Sequence, residues 1–114
     1  MKYPSQQHGS SMIISLTGEV DLKFSPLARE QILKSLSDKS HVLVDLSEVE
    51  YIDSSGVASL VEGLQYARNH RLHFALTGVS EPAMQVLHLA RLDQVFTIHP
   101  NVEEGLDAFA REDG

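Results

Sequence analysis

VLVDLSEVEYIDSSGVASLVEGL, residues 42–64, changes its hydrophobic period at its centre. Its first part, with His41, reads HVLVDL (41–46): β-rich and continuously apolar in the middle, as in a strand buried on both faces of a parallel sheet. Beyond Asp53 the apolar residues Val57, Leu60, Val61, Leu64 and Ala67 fall at i, i+3, i+4, i+7 and i+10, which predicts a helix over about 55–69. Ser59, Glu62, Gln65 and Arg68 are expected on its other face. Asp53-Ser54-Ser55-Gly56 therefore stands where a strand gives way to a helix.

Working outward, the same alternation repeats. MIISL (12–16) reads as a short strand after the Gly9-Ser10-Ser11 turn, ended by GEVD (18–21), with residues 2–7 left open as a partner strand. Ser25-Pro26 predicts a helix start, Ser at the N-cap and Pro at the first helical position, with Ala28, Ile32, Leu33 and Leu36 as its buried stripe. LHFAL (72–76) alternates with period two and reads as a strand. Ser80-Glu81-Pro82 opens a third helix that buries Ala83, Val86, Leu87 and Ala90, VFTI (95–98) is a last strand, and Asn101 with Glu104 caps a final helix. Strands alternating with helices predict an α/β sheet with mostly parallel pairing and right-handed crossovers. In such sheets, sites gather where strands end and helices begin. Asp53–Gly56 is one such junction and GEVD a neighbouring one.

Composition narrows the function. The 114 residues are about one domain, and 42 % hydrophobic content suffices for a core. The absence of cysteine excludes disulfides, thiolate metal sites and cysteine nucleophiles. The net charge of −7, with nine scattered Lys and Arg, argues against nucleic acid and anionic membrane surfaces as partners. No apolar run nears the roughly 20 residues that cross a bilayer. A soluble cytoplasmic protein with no direct membrane insertion is expected.

Enzyme signatures are missing. There is no G-x-S-x-G elbow, no phosphate-cradling glycine loop and no dinucleotide fingerprint. His8, His41, His70, His73, His88 and His99 show no H-x-x-x-H pair or clustered carboxylates, so no metal site is expected. Asp21 and Asp53 could meet as a carboxylate pair, although Asp at a helix start is usually a cap. The residues of the Asp-Ser-Ser-Gly junction leave two readings open. Ser54 is an N-cap, with Gly56 allowing close packing or an unusual backbone angle. Alternatively, Ser54 is a phosphorylation switch at the positive end of a helix, where a phosphate gains charge-assisted hydrogen bonds and changes the surface more than the fold.

GEVD (18–21), VDLSEVEYIDSSGV (44–57) and SEPAMQVLHLARLDQVF (80–96) resemble the STAS domain, and within it bacterial anti-sigma factor antagonists, across about residues 12–110. The resemblance implies one STAS domain over 1–114: a four- to five-stranded, mostly parallel mixed sheet with about four helices, mostly on one side. It implies a non-enzymatic binding protein with no cofactor and no metal. An anti-sigma factor serine kinase would phosphorylate Ser54, with Ser55 its neighbour or secondary acceptor. The unphosphorylated form would hold the kinase and free a sigma factor, and the phosphorylated form would let go. Gly18, Glu19 and Asp21 would share the docking face with Asp53, Ser54, Ser55 and Gly56. Ala58, and Asn69-His70-Arg71 in place of a frequent glycine pair, also allow other branches of the family. One of these binds the ATPase of a phospholipid-transporting ABC system, and another builds large stress-signalling assemblies. A small hydrolase using Ser54 or Ser55 is the alternative from another class. A monomer or weak dimer is expected.

Overall fold

The computed structural model describes residues 2–113. Its elements run β1 (Ser5–His8), β2 (Ser11–Val20), α1 (Ser25–Ser37), β3 (His41–Ile52), α2 (Ser54–Asn69), β4 (Phe74–Thr77), α3 (Glu81–Leu89), β5 (Ile98–His99) and α4 (Val102–Asp113). They form one five-stranded sheet in the order β1-β2-β3-β4-β5, antiparallel only between β1 and β2. The open question of a first strand is answered by Ser5–His8, which lies against Ser11–Ile14.

Parallel strands joined by helices place every helix start at the carboxyl end of the sheet. α1, α2 and α3 cover one face over a core that includes Ile14, Leu16, Ile32, Val44, Leu60, Leu76 and Leu87, each under 2 % exposed. α4 covers part of the other face through Phe109, packed with Leu43 and Ala75. That second layer explains a departure from the alternation of LHFAL: Phe74–Thr77 is buried at every position, because both faces are covered.

Other expectations change at element ends. The helix after GEVD has Phe24, not Ser25, at its N-cap, with no side-chain cap. Asp21 organises the entry instead: its Oδ1 accepts from Lys23 N (3.0 Å) and Phe24 N (3.2 Å), and its carbonyl accepts from Ser25 N (2.7 Å). Ser59 is buried rather than solvent-facing, its hydroxyl donating to the carbonyls of Ser25 (3.2 Å) and Ser55 (3.1 Å). Ala90 is exposed, since α3 ends at Leu89. The last strand shrinks to Ile98–His99 because Val95 N and Phe96 N turn back to the Leu92 carbonyl. Glu112 belongs to α4, and its Oε2 lies 2.9 Å from His73 Nδ1.

Two buried hydroxyls, Tyr3 Oη and Thr77 Oγ1, have no hydrogen-bond partner among the described residues. Burial, and then the negative charge of Asp21, raise the Tyr3 pKa. Thr77 is 0 % exposed on a central strand. Val has the same branched shape and β preference without the unpaired oxygen. Thr77→Val is therefore expected to gain about 1 kcal/mol. A urea midpoint unchanged or lowered at constant slope would refute this.

Candidate functional site

The Asp-Ser-Ser-Gly junction is built by the end of β3. Asp53 follows the last strand residue with extended backbone (φ −110°, ψ −172°) and is itself the N-cap of α2. Its Oδ1 accepts from Ser55 N (2.9 Å), Gly56 N (3.2 Å) and the Ser55 hydroxyl (2.5 Å). Its Oδ2 reaches across to Leu22 N at 3.2 Å. One carboxylate thus closes the helix start and ties it to the chain leaving β2.

The cap expected at Ser54 therefore belongs to Asp53. Ser54 is the first helical residue, is exposed, and its hydroxyl has no hydrogen-bond partner among the described residues. Ser55 is half-buried and committed to Asp53. The two hydroxyls are consequently not equivalent: one is free at the surface, the other is held.

The strand does not end where GEVD begins: β2 runs on through Gly18, Glu19 and Val20, and only Asp21 lies beyond it. Gly18 pairs with Val49 and Glu19 with Tyr51, so β3 carries an extra residue, Glu50, between them. Gly18 sits at φ +69° at this irregularity, a conformation that suits glycine. Val20 O accepts from Asp53 N at 3.4 Å. Glu19, Asp21 and Asp53 thus gather at one corner, and none forms an ion pair among the described residues. Exposed apolar groups flank the carboxylates: Leu22 at 75 % and Tyr51 at 50 %.

Sequence reasoning missed a groove beside Ser54. Val57, Ala58 and Val61 of α2 face Val86 of α3 and Ala90, the residue that caps its end, across about 470 Å³, with Ser54 at its mouth. Glu62 on its border is paired with Arg29 at 2.6 Å. Part of the signal was in the sequence, since Val57 and Val61, and Val86 and Ala90, belong to two apolar stripes, but the stripes appeared wholly committed to the core.

The electrostatics of Asp53 follow from its partners. The Ser55 hydroxyl, against an opposing effect of desolvation, and then the N–H groups of Gly56, Ser55 and Leu22, hold its carboxyl below the usual carboxylate range. A depressed folded-state pKa stabilises the fold above the unfolded-state value, near 3.9, and that stabilisation is lost as pH falls through the folded-state value. Asp53→Asn should flatten this part of the acid limb of a stability–pH profile. Urea midpoints between about pH 6 and about pH 2 check it, and an acid limb as steep in the variant as in the wild type would refute it.

The same cap determines what a phosphate on Ser54 would meet. The amides of Ser55 and Gly56, which could have gripped it, already serve Asp53. The phosphate would project into solvent beside a carboxylate, at the groove's mouth. Among the described residues, no group of three or more His, Asp or Glu could hold a metal ion, and no helix is long and apolar enough to cross a membrane.

Comparison with known proteins places this architecture. The STAS domain family model matches residues 2–105. An anti-sigma-B factor antagonist of Listeria monocytogenes is 29 % identical over 91 residues, covering 79 % of each chain. An anti-sigma-factor antagonist (STAS) domain protein of Planctomyces limnophilus superposes with a TM-score of 0.85 at 23 % identity, over 96 % of this chain and 99 % of that one. The phosphorylated form of SpoIIAA, a Bacillus cell fate determinant, gives 0.74 at 17 % identity, over 93 % and 97 % of the two chains.

Proposed function

The chain belongs to the STAS domain family, and from that premise we propose that it is a phosphorylation-switched antagonist of an anti-sigma factor. It is a regulatory binding protein, as its relatives are, and not an enzyme. In its unphosphorylated form it holds an anti-sigma factor serine kinase, and a sigma factor is released. Phosphorylation of Ser54 breaks that complex.

The observation that carries the proposal is the division of labour between the two serines. Ser54 presents an uncommitted hydroxyl to solvent, whereas Ser55 donates to Asp53. A kinase can take Ser54 without opening the helix start. The product bears about −1.5 to −2 charges at the mouth of an apolar groove and beside Asp53. A partner seated over that groove would have to strip water from the phosphate without enough compensating hydrogen bonds. The switch acts by obstruction and desolvation, with the fold left in place. That relatives are named anti-sigma-B factor antagonists, and that SpoIIAA is known in a phosphorylated form, supports this reading.

The test is a pull-down from native lysate with Ser54→Ala and Ser54→Asp baits, read by mass spectrometry. The Ala bait should retain a small ATP-binding serine kinase and the Asp bait should lose it. Recovery of an ABC-transporter ATPase and its permease by both baits would overturn the proposal in favour of a transporter subunit.

A further inference from the structure

The two edges of the sheet differ in what they leave open. β5 is Ile98–His99 alone, and so short an edge strand leaves little to extend. β1, Ser5–His8, is exposed at every position. Its phase against β2 is fixed by Ser15 N, which donates to the Pro4 carbonyl at 2.9 Å. Antiparallel pairs alternate, so Pro4, Gln6 and His8 face β2 with their main-chain groups, and Tyr3, Ser5 and Gln7 turn theirs outward.

At Tyr3 the outward groups are already served from α1. The Tyr3 N–H donates to Gln31 Oε1 at 2.7 Å, and the Tyr3 carbonyl accepts from Gln31 Nε2 at 3.0 Å. A side-chain amide thus stands where a neighbouring strand would. Ser5 and Gln7 have no such amide, and their outward N–H and C=O groups make no hydrogen bond among the described residues. Ser5-Gln6-Gln7-His8 also lacks the lysine, proline or carboxylate that commonly guards a free edge.

The charge beside this edge is balanced. A groove of about 350 Å³ between β1 and α1 carries Lys2 and Lys34 against Glu30 and Asp38, over the apolar Met12 and Leu27. In a chain of net charge −7, this rim can meet its own copy without net repulsion.

We propose that β1 is a self-association edge whose occupant is β1 of a second copy, laid antiparallel about a two-fold axis at Gln6. In that register Ser5 of each copy lies opposite Gln7 of the other, and the two residues exchange the hydrogen bonds that are open in the single chain. Two five-stranded sheets become one continuous sheet. The strands run in opposite directions across the axis, so the two Ser54 corners point away from each other and both stay open. The contact is short, which makes the dimer a weak one. It is independent of the proposed switch.

Sedimentation equilibrium on the intact protein should show a monomer–dimer equilibrium with a dissociation constant on the order of 100 μM. Ser5→Pro removes an outward N–H without touching the ladder to β2. Gln6→Lys sets two ammonium groups opposite each other across the axis. Each should weaken the dimer at least tenfold while the melting temperature stays near wild type. The chain has no cysteine, so Gln6→Cys places its one thiol at the axis. There the paired Cα atoms would lie about 4.5 Å apart, within the span of a disulfide. Mild oxidation should cross-link it, and should not cross-link Gln85→Cys, an exposed position on α3. A chain that stays monomeric up to about 1 mM, a dimer indifferent to either substitution, or equal cross-linking at the two positions would each overturn the assignment.

Discussion

Ser54→Asp is expected to weaken binding to the captured kinase by about 10- to 100-fold, roughly 1.4 to 2.8 kcal/mol, while Ser54→Ala binds within a few-fold of wild type. The magnitude follows from position. An added carboxylate at the groove's mouth stands beside Asp53 and near Asp21 and Glu19, with no cation paired to any of them among the described residues. It must be dehydrated when a partner covers the groove, and the amides that could compensate are taken by Asp53. Asp carries only one charge, so authentic phosphoserine should act more strongly. Ser55→Ala provides the contrast. It removes the 2.5 Å bond to Asp53 and loosens the cap, yet leaves Ser54 available as acceptor. Titration calorimetry on the four proteins decides the matter. Equal affinities for wild type and Ser54→Asp would dismiss the switch, and loss of phosphate incorporation in Ser55→Ala but not in Ser54→Ala would move it one residue along.

What the sequence made legible was periodic, and what it hid was relational. The helix after Asp53 and the buried strand before it could be read because each repeats its own hydrophobic period, and the family motifs located Ser54 within them. The extra residue in β3 at Glu50 has no signature, since it exists only relative to Gly18 and Glu19 across the ladder. Val61, Val86 and Ala90 were legible as apolar but not as the walls of an open groove, because periodicity gives a face and not what covers it. Likewise, His41, His73 and Phe109 are far apart in the chain and meet only when α4 returns to the start of the sheet. Six of the nine scattered Lys and Arg lie in or just beyond the last turns of helices, because the parallel topology sends every helix end to the same side. The cap moved from Ser54 to Asp53 because both residue types cap well and only the backbone angles separate them.

Gly56→Ala should cost about 2 to 3 kcal/mol, lowering Tm by roughly 10 °C. Two effects compete. Ala favours a helix over Gly by up to about 1 kcal/mol, which alone would stabilise α2. Against this, a Cβ at Gly56 would meet the Val20 carbonyl oxygen at 2.5 Å and Ile52 Cγ1 at 2.6 Å. The first of these is main chain, and it cannot rotate away as a side-chain tip would. Relief requires α2 to withdraw from the end of β2. That movement stretches the bond from Asp53 N to Val20 O, already 3.4 Å, and the one from Leu22 N to Asp53 Oδ2 at 3.2 Å. The cost therefore falls on the corner that carries Ser54. Partner affinity should drop in Gly56→Ala even at temperatures where the protein remains folded. Gly63→Ala tests this separation, because its Cβ would press on Ile32 and Phe74 side chains, in the core and away from the corner. It should lower stability while leaving the affinity of the folded protein near wild type. Urea denaturation and binding measured on both variants give the answer. A Gly56→Ala protein as stable as wild type would mean that the helix start tolerates a methyl group, and the close approach of α2 to β2 would then not be what fixes the position of Ser54.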